Sequence, residues 1–267
     1  MDAIPAHRIK CIEDADMPGP FPPRLTRTVD LYGPDGMARI RSAGVVVVGL
    51  GGVGAHAAVA LARSGIGRLH LVDDDVITTS SLNRHPVAGP ADLGRSKAEV
   101  LATFIAATCP ETDATLAVAR VTAASLPTLL PEAGREVHGV VIDAIDGVVE
   151  KIALIVHAAG QGRQVVCSAG AAGKVDPGLI RTGTLGQTRV CPLARKVRHG
   201  VRQAGLDAGA IAAVWSEEDP RPPIDAPPGT HLPDEPGVTR RQASNMMLPG
   251  MVGYALAALA VWVVANP

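Results

Sequence analysis

Apolar residues alternate along this chain between two patterns. Short continuous runs, led by Gly44–Val48 (GVVVV), have the β-branched content of strands buried on both faces of a parallel sheet. Arg68–Val72 (RLHLV), 115–118, Val140–Asp143 and Gln164–Ser168 repeat the pattern. Between them the spacing predicts helices over 51–64 and 150–159, the latter with Ile152 and Ile155 inward. Another helix follows Ser96, where Ser96-Lys97-Ala98-Glu99 has the form of a capping box and Leu101, Phe104 and Ile105 share a face. A further helix carries the stripe Leu193, Val197 and Val201. This alternation predicts an α/β fold: a doubly wound, mostly parallel, Rossmann-like sheet, less regular in the C-terminal part after Gly173.

Three segments fall outside the alternation. Residues 1–23 hold five prolines and no apolar period, and are expected to form a flexible arm before a single domain over 24–267. Residues 219–236 hold seven prolines and are expected to be an extended loop. Residues 246–264 are almost wholly apolar, and about 20 such residues span a bilayer. Pro249, Gly250 and Gly253 interrupt the first half, however, and no basic cluster follows. The expectation is therefore a helix closing the core or a dimer interface rather than a membrane contact.

Composition narrows the function classes. The 267 residues carry 25 Lys and Arg against 26 Asp and Glu, a net charge of -1. That argues against polyanion binding by bulk field and leaves only a local patch. A hydrophobic content of 47% with 19% charged residues excludes a disordered chain. With aromatics at 2%, a stacked aromatic platform for nucleic acid is a poor fit, and the core falls to Val, Ile, Leu and Ala. Cys11, Cys109, Cys167 and Cys191 form no C-x-x-C pair, which argues against a paired-cysteine zinc site and a disulfide framework. A reducing, cytoplasmic location is expected. Residues 1–19 are acidic and lack the apolar run of a secretory signal.

The candidate chemistry gathers at the ends of the predicted strands. Gly49-Leu50-Gly51-Gly52-Val53-Gly54 follows the first strand and opens a helix, where a phosphate can approach backbone N–H groups at the positive helix end. Asp73, Asp74 and Asp75 end the second strand about 20 residues on, placed to accept from ribose hydroxyls. To this point NAD and ATP fit equally well. Lys97 opens its helix, where a cation is mildly unfavourable unless both face an anion. Asp143 and Asp146 end the fourth strand, and a carboxylate beside phosphates needs an intervening metal such as Mg²⁺. With Asn83-Arg84, this set favours ATP with Mg²⁺ over NAD.

GLGGVG, the D-x-D of Asp73 and Asp75, Asn83-Arg84, Lys97 and the D-x-x-D of Asp143 and Asp146 together resemble the E1-like (ThiF/MoeB/HesA) adenylating superfamily. Leu31-Tyr32-Gly33, the VIDAID run, 169–177 (AGAAGKVDP), 192–198 (PLARKVR), 214–217 (VWSE) and 249–256 (PGMVGYAL) resemble one branch of it, the tRNA threonylcarbamoyladenosine dehydratases that form cyclic t6A. The similarity runs from about Arg24 to the end. It implies that Gly49, Gly51, Gly52, Gly54, Asp73, Asp75, Asn83 and Asp143 belong to the nucleotide site, with Asp73 on the ribose. Arg84 and Lys97 would bind the phosphates and Asp146 the Mg²⁺. Arg27, with Arg24 one turn earlier, would reach into the neighbouring site of a homodimer. Ser81 stands where the family has Asn, and His85 where Gln is usual. Ala213 lies at or next to a cysteine of some relatives, so that thioester is not available.

The implied reaction is ATP-dependent dehydration of N6-threonylcarbamoyladenosine at position 37 of tRNA, through a carboxyl adenylate. Between Pro177 and Leu206 there are six cations and no acid, and Arg195, Lys196, Arg198 and Arg202 are the expected tRNA-binding residues. One alternative is an activator of a ubiquitin-like sulfur-carrier protein, whose usual C-x-x-C pairs are missing here; a sulfur-transfer partner stays open. A non-catalytic E1-like nucleotide-binding subunit fits poorly with retention of Arg84, Lys97 and Asp146. An NAD oxidoreductase has no use for the phosphate-directed cations.

Overall fold

In this computed structural model the described residues are 7–8, 21–130, 139–222 and 243–266. In chain order the elements are β1 (His7–Arg8), α1 (Thr26–Ser42), β2 (Gly44–Val48), α2 (Gly54–Arg63), β3 (Arg68–Val72), α3 (Lys97–Thr108) and β4 (Asp113–Ala117). They continue with α4 (Leu126–Leu129), β5 (Val140–Asp143), α5 (Val148–Gly160), β6 (Gln164–Ser168), β7 (Ile180–Thr184), α6 (Pro192–Gln203), β8 (Ala212–Ser216) and α7 (Met247–Ala265).

The strands form one sheet in the order β1-β4-β3-β2-β5-β6-β8-β7, parallel except for β1 and β7 at its two edges. The valines of β2 explain why its sequence does not alternate. Val45 and Val47 enter one hydrophobic layer, with α2, α3 and α7; Val46 and Val48 enter the other, with α5 and α6. A strand with a layer on each face has no polar side to show. The doubly wound expectation therefore holds, and the strand order reverses between β2 and β5.

Several expected boundaries move for local reasons. The helix expected from 51 begins at Gly54, because 51–53 form the turn that leaves β2. Strand 115–118 lies at Asp113–Ala117, in register with β3, and helix 150–159 extends over Val148–Gly160. Ile155 is fully buried there and Ile152 half-buried. The capping box at Ser96 does not form: the Ser96 hydroxyl makes no cap hydrogen bond and is buried without a partner among the described residues. Within the expected arm, His7–Arg8 pair antiparallel with Thr115 and Leu116 of β4, and Leu25 just beyond it is fully buried. The rest of 1–20, and the expected proline-rich loop beyond Pro222, lie outside the described residues.

The apolar C-terminal stretch is a core helix. α7 lies against α2, and a Cβ on Gly253 would press on the Val53 carbonyl oxygen and the His56 side chain. Gly250 meets the His56 ring in the same way. Below this seam Val252, Leu256, Ala260 and Val261 are 0–3% exposed; each large aliphatic side chain so buried contributes roughly 1.5–3 kcal/mol. The Arg39 guanidinium closes the helix end, donating to the Ala265 carbonyl oxygen at 2.9 and 2.6 Å. Met247, Met251, Tyr254 and Trp262 face outward.

Because Gly253 is a contact residue, Gly253→Val is expected to destabilise the protein by about 2 kcal/mol or more. Ala258→Val on the exposed face should change stability by less than about 0.5 kcal/mol. Urea unfolding of the two variants checks the difference.

Candidate functional site

The reversal between β2 and β5 separates the two turns that leave their carboxyl ends, and open α/β sheets bind ligands in the crevice so formed. Here it widens into a cleft of about 1010 Å³. Gly49 starts the glycine turn at φ +85°, with its N–H donating to the Val72 carbonyl oxygen at 2.9 Å. A Cβ on it would sit 2.8 Å from the Ala144 carbonyl group, so the turns after β2 and β5 touch backbone to backbone. Gly51 and Gly52 line the cleft before α2 begins. Gly54 does not line it; it lets α2 close onto the Gly49 carbonyl oxygen. The Ala55 and Ala57 N–H groups donate to the Gly51 and Val53 carbonyl oxygens at 3.1 Å, so α2 grows directly out of the turn that lines the cleft.

Asp73 organises the adjoining wall. Its carboxylate accepts from the Leu50 N–H, across the glycine turn, and from the Asp75 N–H at 2.7 Å. Burial pushes its carboxyl above the ordinary value, while Lys97 and these two amides oppose the rise. Lys97 pairs with the exposed Asp75 carboxylate at 2.6 Å and is itself largely buried. The cation at a helix start therefore has a counter-charge within the chain, which its sequence position did not reveal. Ligand oxygens of Asp73, Asp74 and Asp75 lie within 4.8 Å of one another.

Arg84 reaches the cleft across Gly52, where any Cβ would crowd its stem at 3.1–3.2 Å. Its guanidinium donates to the Ser80 carbonyl oxygen and makes no ion pair among the described residues. Asn83 does not line the cleft; its amide donates to the Ser244 carbonyl oxygen at 3.0 Å, tying down the segment that leads into α7. Ser244 from that segment and Pro249 in the first turn of α7 do line it.

Asp146 lines the opposite wall, exposed and without a cation partner among the described residues. Asp143, expected in the nucleotide site, is not at the cleft. Its side chain is fully buried and pairs with Lys151 Nζ at 2.8 Å. Burial pushes the Asp143 carboxyl up and the Lys151 ammonium opposes the push; burial also takes the neighbouring Cys167 thiol up to about 12. Removing one partner of such a pair typically costs about 3–5 kcal/mol.

Arg27 does not reach the cleft of its own chain. Arg24 donates to the Ala62 and Arg63 carbonyl oxygens at the far end of α2 and pairs with Glu111. That end lies about 15 Å along the helix from the glycine turn. Arg27 is exposed just beyond Arg24 and does not line the cleft.

Sequence reasoning passed over Arg120, Glu150, Lys174 and Arg221, which also line the cleft. Of these only Lys174 carried a signal, inside the AGAAGKVDP stretch. It is 3% exposed, donates to the Ser216 carbonyl oxygen at 2.8 Å, and burial lowers its pKa. Cys191 is buried at the start of α6, where its sulfur accepts from the Ala194 N–H.

On α6, Arg195, Lys196 and Arg202 are exposed, opposite the buried Val197 and Val201. Arg198 departs from the expectation. Its guanidinium is half-buried and donates to the Thr188 carbonyl oxygen and hydroxyl at 2.6 and 2.7 Å, holding the preceding loop. A smaller cavity of about 240 Å³ opens there, lined by Arg189, Arg195 and Arg198.

These features define a Rossmann-type α/β protein whose cleft at the strand-order reversal brings a glycine turn, two cations and an exposed carboxylate together. The chain belongs to the ThiF family, whose model matches residues 24–216. It is 34% identical over 200 residues to tRNA threonylcarbamoyladenosine dehydratase 2 of Saccharomyces cerevisiae, a match covering 74% of this chain and 44% of that protein. Against the tRNA threonylcarbamoyladenosine dehydratase of Haemophilus influenzae it is 36% identical over 173 residues, 65% of each chain. Its match therefore spans less than two thirds of these relatives. The fold superposes on the Escherichia coli enzyme TcdA, solved in complex with ATP, with a TM-score of 0.77 at 30% identity, covering 90% of this chain and 93% of that one. E. coli MccB, also solved with ATP, shares the fold at 19% identity and a TM-score of 0.61.

His85, in the turn that carries Arg84, provides a pH test. Burial first, then Lys97 and His56, lowers its pKa to about 4, and its Nε2 is buried without a partner. It is neutral in the folded protein at pH 7. Between about 6.5 and 4 the unfolded chain binds the extra proton and the folded one does not, so stability falls as pH falls through that window. The contribution is on the order of 3 kcal/mol. His85→Gln is expected to flatten this part of the pH profile, read by urea unfolding between pH 4 and 7.

Proposed function

We propose that this protein adenylates the carboxylate of N6-threonylcarbamoyladenosine at position 37 of tRNA, using ATP, and so drives its dehydration to the cyclic form. The carrying observation is the cleft at the strand-order reversal. One wall holds the glycine turn with Arg84 and Lys97, and the other presents Asp146, with no cation claiming it among the described residues. The relatives and the ATP-bound E. coli enzyme support the substrate and the nucleotide.

In this reading the glycine turn and the start of α2 receive the phosphates, and Asp73 holds the ribose. The threonyl carboxylate forms a bond to the α-phosphorus and pyrophosphate leaves. The ureido group of the same residue then attacks the activated acyl carbon. AMP departs with the acyl–oxygen bonding pair, and the ureido proton is lost as the ring closes. The oxygen removed from the substrate leaves on AMP, so the tRNA has lost one water. Arg84 and Lys97 offset the charge that builds on the phosphates. The attack is intramolecular, which supplies a high effective concentration and calls for no protein nucleophile. Ala213, where some relatives carry cysteine, agrees with that.

Asp146 fits a Mg²⁺ ion, as an exposed carboxylate beside the expected phosphate path; Asp73 and Asp75 are already engaged. The ion would neutralise phosphate charge. The exposed Arg195, Lys196 and Arg202 would meet tRNA phosphates. A homodimer would bring Arg27 of one chain to the other's site. Buried free Cys109, Cys167 and Cys191 suit a cytoplasmic setting.

Incubation with ATP, Mg²⁺ and t6A-bearing tRNA, then nucleoside mass analysis, is expected to show loss of one water; an unchanged nucleoside rejects the proposal. Lys97→Ala and Asp146→Ala should each lower the rate of substrate-dependent ATP–pyrophosphate exchange by roughly 10²–10³-fold while the circular dichroism stays native. Arg195→Glu with Arg202→Glu should weaken tRNA binding and reduce its salt slope by about 2. An unchanged slope would remove this face from the interface.

A further inference from the structure

Asp143 and Lys151 take no part in the chemistry just described. They nevertheless form the most deeply buried ion pair among the described residues, with side chains 0% and 2% exposed. Two charges withdrawn from water are costly to keep, and apolar residues of similar volume often replace such a pair without loss of stability. A further cost remains visible: the second carboxylate oxygen of Asp143 is buried with no partner. What the pair does that apolar residues could not do is visible in its hydrogen bonds.

Lys151 Nζ contacts both Asp143 Oδ1, at 2.8 Å, and the Asp143 main-chain oxygen, at 3.3 Å. The same Oδ1 accepts from the Ile145 N–H at 3.2 Å. Lys151 itself is anchored in the first turn of α5, its own N–H donating to the Gly147 carbonyl oxygen at 3.0 Å. One ammonium thus spans the turn 144–147 from the last residue of β5 to the start of α5. That turn has two faces toward the cleft. Ala144 backs the glycine turn, donating to the Val48 carbonyl oxygen at 2.8 Å and leaving no room for a Cβ on Gly49. Asp146 stands on the other face.

We infer that Lys151 is a positioning residue for the nucleotide site: locked onto Asp143, it sets the turn after β5 so that the glycine turn and the Asp146 carboxylate face the same phosphate chain. This rests on the nucleotide reading above and adds a residue that touches no substrate. A pair that merely filled space would be replaceable by apolar side chains; a pair that sets the turn would not, because those offer nothing to the Ile145 N–H or the Asp143 carbonyl oxygen.

The test is a calorimetric titration of ATP with Mg²⁺ into wild type, Lys151→Met, Lys151→Arg and the apolar double variant Asp143→Leu with Lys151→Met. Thermal melting and amide hydrogen exchange over 144–147 accompany it. In whichever of the Lys151→Met and double-variant proteins melts cooperatively, the inference expects ATP to bind about 10–100-fold more weakly. Exchange in the turn should be faster there, and Lys151→Arg should recover part of both. Wild-type affinity in either cooperative variant overturns it. If neither melts cooperatively while Lys151→Arg does, the pair serves the fold and not the turn, and the inference fails. Absence of ATP binding by wild type in the same titration overturns the nucleotide reading instead, so the two failures are distinguishable.

Discussion

The site depends on one contact made without side chains. Val48 and Asp143 are register partners at the ends of neighbouring strands, and the turns that follow must diverge, one into α2 on one face of the sheet and one into α5 on the other. Gly49 lets them leave in backbone contact, because a single added carbon would collide with the Ala144 carbonyl group. The closeness of the two turns brings a helix start and an acidic side chain to one crevice. Both layers of the core serve that arrangement by holding β2 and β5 between them.

Part of the charge at the site is already engaged within the chain. Asp73 spends its oxygens on two main-chain amides, one from each of the turns after β2 and β3, and so ties those turns together. Lys97 is held by Asp75, whose carboxylate is exposed while the ammonium is largely buried. Arg84 is bonded to a carbonyl oxygen rather than a carboxylate. The two cations are thus held by different means.

The fold was legible where pattern and geometry coincide. The valine run of β2 and the strands at 68–72, 140–143 and 164–168 appear in the sequence with their observed bounds, because buried parallel strands need continuous apolar residues. The spacing of the glycine turn, Asp73, Lys97 and Asp146 anticipated that they gather in one place, and all line the same cleft. What escaped depended on side-chain direction. Asp143 and Asp146 look equivalent in D-x-x-D, yet a strand end sends one into the core and the turn sends the other outward. Lys151 carries no sequence signal of the buried carboxylate it meets. Arg198 looked like its neighbours on a cationic face, but a loop three-dimensionally adjacent to it supplies acceptors that no helical periodicity reports. Ser96 has the residue type of a cap and not the orientation.

The seam between α2 and α7 joins stretches that lie far apart along the chain. α7 supplies Pro249 to the cleft wall, and the segment ahead of it, anchored by Asn83, supplies Ser244. Meeting the glycine turn from so distant a position closes a long loop, whose entropy must be overcome before the contact rewards it. The cleft is thus a late product of folding: β2 and β3 can pair through nearby residues, but the wall made with α7 waits for the long-range seam.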